Sequence, residues 1–458
     1  MNKPEAISVA AQAQAMIIPV EAFVSKDYAR AEADKLWRKV WLQTGRIEDI
    51  PEPGNYITYE IGDDSVLILR KRDGAIAAYR NVCTHRGRRL VDTPKGQRNA
   101  RGSAPRFTCG FHAWTFELDG TASYIERPEE WGGALCDEVT RLGGVKVDTW
   151  GGFVWINLDP EAGPLREFLE PAATTLDPFR LQDMRPRWRY WTQFECNWKV
   201  ALEAFNETYH VAGTHPEMMA FGEYVGWGQR QGLHSNIGYD AADGVEENKS
   251  KLRLGAGDPR TSTAEMQKYI WDGVNTNTTK TLVDVAQRLP TELPEGTPPG
   301  EVVRHWLETA KKEDAARGVV WPEIDPSHVA ASGTAWQIFP NQQIGHAVNN
   351  MLCYQARPVD ADPDRCYFEV AVYQLWADGE APETEWTYLA PDDFPHILRQ
   401  DFSNMAAVQK GMKMAGYPGN IPNPKNEGAV ISLHQSLAAY MGTGAPIPLA
   451  TPVKGAGA

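Results

Sequence analysis

The chain contains no apolar run approaching the roughly 20 residues needed to cross a bilayer, so no stretch of it reads as a membrane span. It also lacks an excess of positive charge: 46 Lys and Arg stand against 60 Asp and Glu, a formal net charge of −14. That is the wrong sign for a nucleic-acid footprint. Cysteine is scarce, six in 458 residues, and too scattered for a disulfide framework. Cys136, Cys196, Cys353 and Cys366 read as reduced thiols, which fits a cytoplasmic location. There is no Gly-rich dinucleotide fingerprint, so the chain is not expected to bind a nicotinamide or flavin dinucleotide itself. There is no internal repeat. Residues 6–20 are fairly apolar, but Gln12 and Gln14 interrupt them, only Lys3 precedes them, and no twin-arginine pair is present. A short leader arm on an intracellular chain is expected there rather than a signal peptide. What is present is an ordinary globular composition, 42% apolar and 23% charged, on a chain long enough for two or three domains.

One stretch departs from that background. Asn81-Val82-Cys83-Thr84-His85-Arg86-Gly87 is followed by Cys109-Gly110-Phe111-His112-Ala113-Trp114. Two thiolates and two imidazoles suit either zinc or a mixed-ligand [2Fe–2S] centre in which histidines hold one of the irons. Zinc sites more often use Cys-x2-4-Cys or His-x3-5-His spacing, and neither occurs here. Cys-x-His followed by Cys-x2-His, with glycine and aromatic neighbours, is the Rieske arrangement.

The chain's texture changes along its length. Residues 25–41 carry helical apolar spacing through Tyr28, Ala31, Leu36, Val40 and Trp41. From 45 to 154 short alternating strands dominate, clearest at 56–60, 65–69 and 75–79, with Asp73-Gly74 as a hairpin turn. Residues 150–158 form the expected closing strand of this small β domain. Beyond 160 the pattern is mixed. It predicts a strand at 188–198, a helix at 198–211, and an irregular polar stretch at 235–300 ending in a proline-rich loop at 289–300. Strands at 336–339, 351–357 and 366–376 follow, then a helix at 394–416 with Asp393 as N-cap and Pro395 at its start. The expected class is α+β: an N-terminal helical segment (1–41) packing on the larger domain, an all-β domain (42–160), the larger domain itself (161–441) and a flexible tail (442–458).

A second metal site lies in the later domain. Trp198, Leu202, Phe205 and Tyr209 form an apolar stripe at helical spacing, and Glu203, Glu207 and His210 a polar one beside it. Gly213 is expected to end this helix and let His215 fold back beside His210. Two histidines five apart are by themselves more often unrelated. Asp401 changes the balance, because it falls between Leu398 and Met405 on the apolar line of its helix. A carboxylate there must be paired, hydrogen-bonded or metal-bound. Two histidines and one carboxylate make the facial triad of non-haem Fe(II) oxygenases, with open positions for O2. Pairing of Asp401 with Arg399, or ligation by Asp392 or Asp393, are the competing readings.

On these residues the chain resembles the large (α) oxygenase subunit of the Rieske non-haem iron aromatic ring-hydroxylating oxygenases. The resemblance runs through the Cys83/His85 and Cys109/His112 pairs, the 153–159 strand, Asn197-Trp198-Lys199, Glu203, Glu207, His210 and His215, and ends with Asp401, Gln409 and Gly411. It implies an all-β Rieske domain inserted before a helix-grip catalytic domain. It also implies that Cys83, His85, Cys109 and His112 hold a [2Fe–2S] cluster and that His210, His215 and Asp401 bind a mononuclear Fe(II). NAD(P)H-derived electrons would come from a ferredoxin or flavin reductase, O2 would be the co-substrate, and the assembly would be a homotrimer, with or without a small β subunit. Glu207 would bridge His210 to a cluster histidine of the next chain. The family commonly has aspartate at that position, so Glu207 weakens a default to ring dihydroxylation.

The implied reaction is hydroxylation of an aromatic or other cyclic substrate, with oxidative N- or O-demethylation as the alternative. A different class, an electron-transfer or binding protein with a vestigial second site, would show no substrate-dependent NADH use. Substrate contacts are expected from 218–227, 336–350 and 351–373, including Asn341, Gln342, Gln343, His346, Asn349 and Asn350. Lys95, Arg98, Arg101 and Arg106, between the two cluster pairs, form a candidate docking edge for an acidic redox partner.

Overall fold

The alternating stretches of the first half become a seven-stranded antiparallel sheet. Its order is Leu42–Arg46, Phe153–Asn157, Gly144–Trp150, Ile76–Arg80, Asp64–Arg70, Asn55–Ile61, Arg101–Ser103. The computed structural model describes residues 14–221, 224–241 and 258–450. The leader arm expected at 6–20 therefore lies mostly outside the described residues. The sheet belongs to a unit of residues 29–169 and 358–362; the second unit comprises 1–28, 170–357 and 363–458. Sequence texture drew the boundaries at 41/42 and 160/161, whereas the compact units divide at 28/29 and 169/170. Residues on both flanks are tied to the same unit: Trp41 Nε1 donates to Gly163 O at 3.1 Å and Lys39 pairs with Asp159 at 3.2 Å.

The expected strand at 150–158 is in fact the turn and second arm of a hairpin. Gly151 and Gly152 adopt φ of +63° and +80° between Gly144–Trp150 and Phe153–Asn157. A side chain at Gly152 would meet the Arg46 guanidinium at 2.6 Å, so glycine is required on two counts. Beside the main sheet, Phe107–Thr108, Thr115–Phe116 and Ala122–Tyr124 form a three-stranded sheet that carries the second Cys/His pair at its first turn.

The second unit is built on an eight-stranded sheet, Tyr224–Gln231, His234–Ala241, Ala335–Ile338, Gln342–His346, Asn350–Pro358, Cys366–Gln374, Arg185–Phe194, Trp386–Tyr388. Helices supply the rest of its core, which fits the α+β class. The stretch at 235–300 is not irregular where it is described. It contains the strand His234–Ala241 and the helices Pro259–Gly273 and Lys280–Glu292; residues 242–257 lie outside the described residues. The proline-rich loop is two helix ends, with Pro290 in the last turn of one helix and Pro299 opening Pro299–Ala316. Asp258 and Thr279 cap the first two helices by accepting from Arg260 N and Leu282 N. In the tail, Ile447–Pro448 pairs with Met16–Ile17, while 451–458 lie outside the described residues.

The helix His396–Met412 buries Ile397, Leu398, Asp401, Phe402, Met405, Gln409 and Met412. Its N-cap is Pro395, with Asp393 in a preceding short turn. A polar knot fixes its position. Asn197 N donates to Gln409 Oε1 at 3.1 Å, and Asn197 Nδ2 donates to Phe23 O at 3.0 Å. Gln409 Nε2 donates to Asp364 Oδ1 at 2.8 Å and reaches Phe23 O and Pro363 O at 3.3 Å. Asn197 also caps the helix Trp198–Glu203. The two segments that carry the second site are thus fastened to each other.

Candidate metal centres

The first centre is formed by two tight loops. Cys83 and Cys109 are 2% and 3% exposed in a core with Trp114, Phe107 and Leu142. Each loop closes on its own cysteine: Gly87 N donates to Cys83 O and Ala113 N to Cys109 O, both at 3.0 Å. Gly87 and Ala113 take positive φ to make these turns. The His85 and His112 rings lie 4.6 Å apart, and Trp114 stacks on His85 at 4.9 Å. Burial opposes ionisation of Cys109, but N–H groups of Phe111 and His112 directed at its sulfur outweigh it and draw its pKa down. The Nδ1 atoms of both histidines are buried without a hydrogen-bond partner. Orphaned donor atoms of this kind are costly unless something binds them. Two sulfurs and two imidazole nitrogens converging in this way fit a cluster with two thiolate and two imidazole ligands.

The second centre departs from the expected local structure. The helix beginning at Trp198 ends at Glu203, and a new short helix, Val211–Thr214, starts after His210. Glu207 explains the break. Its Oε2 accepts from His210 N at 3.0 Å and from Tyr209 N, replacing helix hydrogen bonds. Tyr209, expected on the apolar stripe, is exposed. Gly213 lies within the new helix, and His215 is its C-cap.

The break brings His210, His215 and Asp401 together, with their ligand atoms all within 4.8 Å of one another. His210 Nδ1 lies 2.6 Å from Glu207 Oε1, and His215 Nδ1 lies 2.8 Å from Gln400 Oε1. Both partners accept there, so both Nδ1 atoms carry the proton and both Nε2 lone pairs face inward. His215 Nε2 is 2.9 Å and His210 Nε2 3.5 Å from Asp401 Oδ1. Two imidazole nitrogens facing one carboxylate oxygen call for a proton or a metal ion between them. Burial lowers the histidine pKa values, yet Glu207 and Asp401 outweigh it for His210, and Asp401 and Gln400 for His215. The pocket therefore stabilises positive charge, as a divalent metal site must. Among the competing readings, Arg399 turns to Asp392 O at 3.4 Å, and the metal-competent group of described residues includes neither Asp392 nor Asp393.

The other expected residues lie within hydrogen-bonded and packed surroundings. Asn341 Nδ2 donates to Ala356 O, Gln343 Nε2 to Phe205 O and Asn350 Nδ2 to Asn349 Oδ1. The Oε1 atoms of Gln342 and Gln343 are left without a partner. Phe205 stacks on Tyr354 at 4.1 Å. Of the 218–227 segment, residues 222–223 lie outside the described residues. In the basic stretch Arg98 is buried, leaving Lys95, Arg101 and Arg106 exposed. Gln400 was not singled out by pattern, because the residue before a buried helical position falls on its flank.

Two families match the chain. The ring hydroxylating alpha subunit (catalytic domain) matches residues 172–443, more than half of the chain, and the Rieske [2Fe-2S] domain matches residues 40–141. The glycine betaine monooxygenase oxygenase subunit of Pseudomonas aeruginosa is 29% identical over 202 residues, 44% of this chain and 45% of the relative. The carnitine monooxygenase oxygenase subunit of Escherichia coli is 28% identical over 205 residues, 44% of this chain and 53% of the relative. The large oxygenase component of the Pseudomonas putida naphthalene 1,2-dioxygenase system is 33% identical over 202 residues, 42% and 43% of the two chains. The chain thus spans about half the length of the curated relatives it matches. Among solved structures, a quaternary ammonium Rieske monooxygenase with L-carnitine bound superposes with a TM-score of 0.62 at 19% identity, over 96% of this chain and 100% of the other. Naphthalene 1,2-dioxygenase from Rhodococcus sp. bound to indole gives 0.57 at 17% identity, over 93% and 94%. These structural likenesses establish the fold.

Proposed function

The chain belongs to the ring-hydroxylating alpha-subunit family and carries its Rieske [2Fe-2S] domain, and on that premise we propose that it is the terminal oxygenase of an NAD(P)H-linked system acting on a small organic substrate. The observation that carries this reading is the His210, His215 and Asp401 group with both Nε2 atoms turned to one carboxylate oxygen. When bound, the cluster supplies single electrons and the mononuclear iron an O2-binding centre. The chain's own residues do the rest. Cys83, Cys109 and the orphaned Nδ1 atoms of His85 and His112 would hold the cluster. Glu207 and Gln400 fix the tautomers that leave Nε2 free. Asp401 supplies the anionic ligand from a buried helix face, where water competes least.

Monooxygenation with loss of an N-methyl group is the reaction we favour over ring dihydroxylation. Glu207 stands where the family commonly has aspartate, two of the relatives are by name a glycine betaine and a carnitine monooxygenase, and one similar structure is by title a quaternary ammonium monooxygenase. The working assembly in this proposal is a homotrimer fed by a ferredoxin or flavin reductase, with Glu207 facing the cluster loops of a neighbouring subunit. No helix among the described residues is long and apolar enough to cross a membrane.

The test is metal and sulfide analysis with visible and EPR spectra, followed by NADH consumption, with a ferredoxin and a flavin reductase supplied, against a panel of quaternary ammonium compounds and aromatic hydrocarbons. Formaldehyde release matching NADH use is expected. A colourless protein, or one whose NADH use ignores every organic substrate, overturns the proposal.

A further inference from the structure

We infer that Glu217 is a positioning residue for the mononuclear site, acting on His215 through the side-chain amide of Gln400; this rests on the ligand assignment proposed above. His215 Nδ1 lies 2.8 Å from Gln400 Oε1, and Gln400 Nε2 donates to Glu217 Oε1 at 2.8 Å. Tyr269 OH donates to the same Glu217 oxygen at 2.6 Å, and His396 Nε2 stands 3.6 Å from it. The relay draws on three elements besides His215 itself: the turn Pro216–Phe221, the helix Pro259–Gly273 and the helix His396–Met412.

The physical content is a choice between two orientations of one amide. With its oxygen toward His215, the amide requires a proton on Nδ1 and leaves the Nε2 lone pair free for a metal. With its NH2 toward His215, the amide makes Nδ1 an acceptor, the proton moves to Nε2, and the ligand is lost. Nothing about Gln400 itself decides between these. Glu217 does, because an ionised carboxylate can only accept and so draws the NH2 to its own side. His210 has no such choice to make, since Glu207 is itself its acceptor.

The experiment compares wild-type, Glu217→Leu, Glu217→Gln and His215→Ala proteins, each with its cluster assembled. Fe(II) affinity is measured by competition with a chelator, and the cluster's visible spectrum serves as a control for folding. Glu217→Leu is expected to weaken Fe(II) binding about 10–100-fold, the usual range for groups that orient a ligand. Glu217→Gln is expected to show a smaller loss than Glu217→Leu, because its amide oxygen can still accept from Gln400, although its NH2 allows the opposite orientation as well. Wild-type affinity in Glu217→Leu overturns the relay, and so does a loss in Glu217→Gln as large as in Glu217→Leu. If the wild-type protein binds no iron beyond the cluster, or if His215→Ala binds it equally well, the ligand assignment fails instead.

Discussion

Replacing Gln409 with leucine separates the packing of the helix His396–Met412 from its polar anchoring. The side chain is 3% exposed, and leucine nearly matches its volume. Oε1 accepts from Asn197 N, and the two Nε2 hydrogens serve Asp364, Phe23 and Pro363. Three hydrogen bonds are therefore lost, at about 1 kcal/mol each. Phe23 O keeps its bond from Asn197 Nδ2, and Asp364 keeps its pair with Lys413. Asn197 N is left buried without an acceptor, which adds roughly 1–3 kcal/mol. Burying an apolar side chain in place of an amide returns about 1–2 kcal/mol. The net expectation is a loss of about 3 kcal/mol. Urea unfolding followed by tryptophan fluorescence reads it as a lower midpoint at unchanged slope. Because Asp401 lies about two turns earlier on the same helix, Fe(II) affinity should fall while the cluster's absorption persists. A stability loss under about 1 kcal/mol would refute the claim that this knot anchors the helix.

Asp401→Ala should remove one iron per chain and leave the cluster's visible spectrum intact; metal analysis showing full iron occupancy would discard Asp401 as a ligand. Glu207→Gln keeps an acceptor for His210 but removes the charge, so we expect bound iron with substrate-coupled NADH use reduced about 10–100-fold, read by iron content beside steady-state rates. Burial pushes the Glu427 carboxyl from 4.5 up to about 7, with Glu207 and Glu203 adding to the effect. A raised carboxyl pKa means that ionisation penalises the folded state: the penalty is absent below pH 4.5 and complete above pH 7. Glu427→Gln should therefore stabilise the metal-free protein at pH 8 by about 2 kcal/mol after allowing for solvent screening, and leave it unchanged at pH 4.5. Thermal unfolding at the two pH values checks this, and destabilisation at pH 8 would contradict it.

Much of the first unit was legible because one residue type dominates each face. Val66, Leu67, Ile68 and Leu69 are all fully buried, and the Asp73-Gly74 turn joins their strand to the next. Asp401 was legible for the opposite reason, as a charge on an otherwise apolar line. The helices within 259–292 were not, because their buried positions include Arg260, Gln267 and Thr281, whose polarity hides the period. Arg260 is buried because Asp258 and the Pro290 and Leu293 carbonyls satisfy it, and no periodicity argument reports such partners. The break after Glu203 was missed for a related reason. Helical spacing of side chains cannot reveal that Glu207 offers the backbone a better acceptor than its own carbonyls.

That break also limits what Glu207 can become. One carboxylate serves two ends: Oε1 orients His210, and Oε2 caps the N–H groups of Tyr209 and His210. An uninterrupted helix would satisfy those N–H groups internally and leave the carboxylate only a side-chain contact at i,i+3. The two functions are therefore coupled through the length of the side chain. Glu207→Asp withdraws the carboxylate by about 1.5 Å, enough to break either the 2.6 Å contact to Nδ1 or the cap, even though aspartate is common at this position in the family. If the cap persists, His210 loses its acceptor and Fe(II) affinity falls about 10–100-fold. If the ring contact persists, the turn at 204–210 must rearrange, and amide hydrogen exchange at Tyr209 and His210 rises. Titration of Fe(II) alongside hydrogen exchange distinguishes the two. Wild-type values in both would mean that the break is set by the surrounding fold and that Glu207 only occupies it.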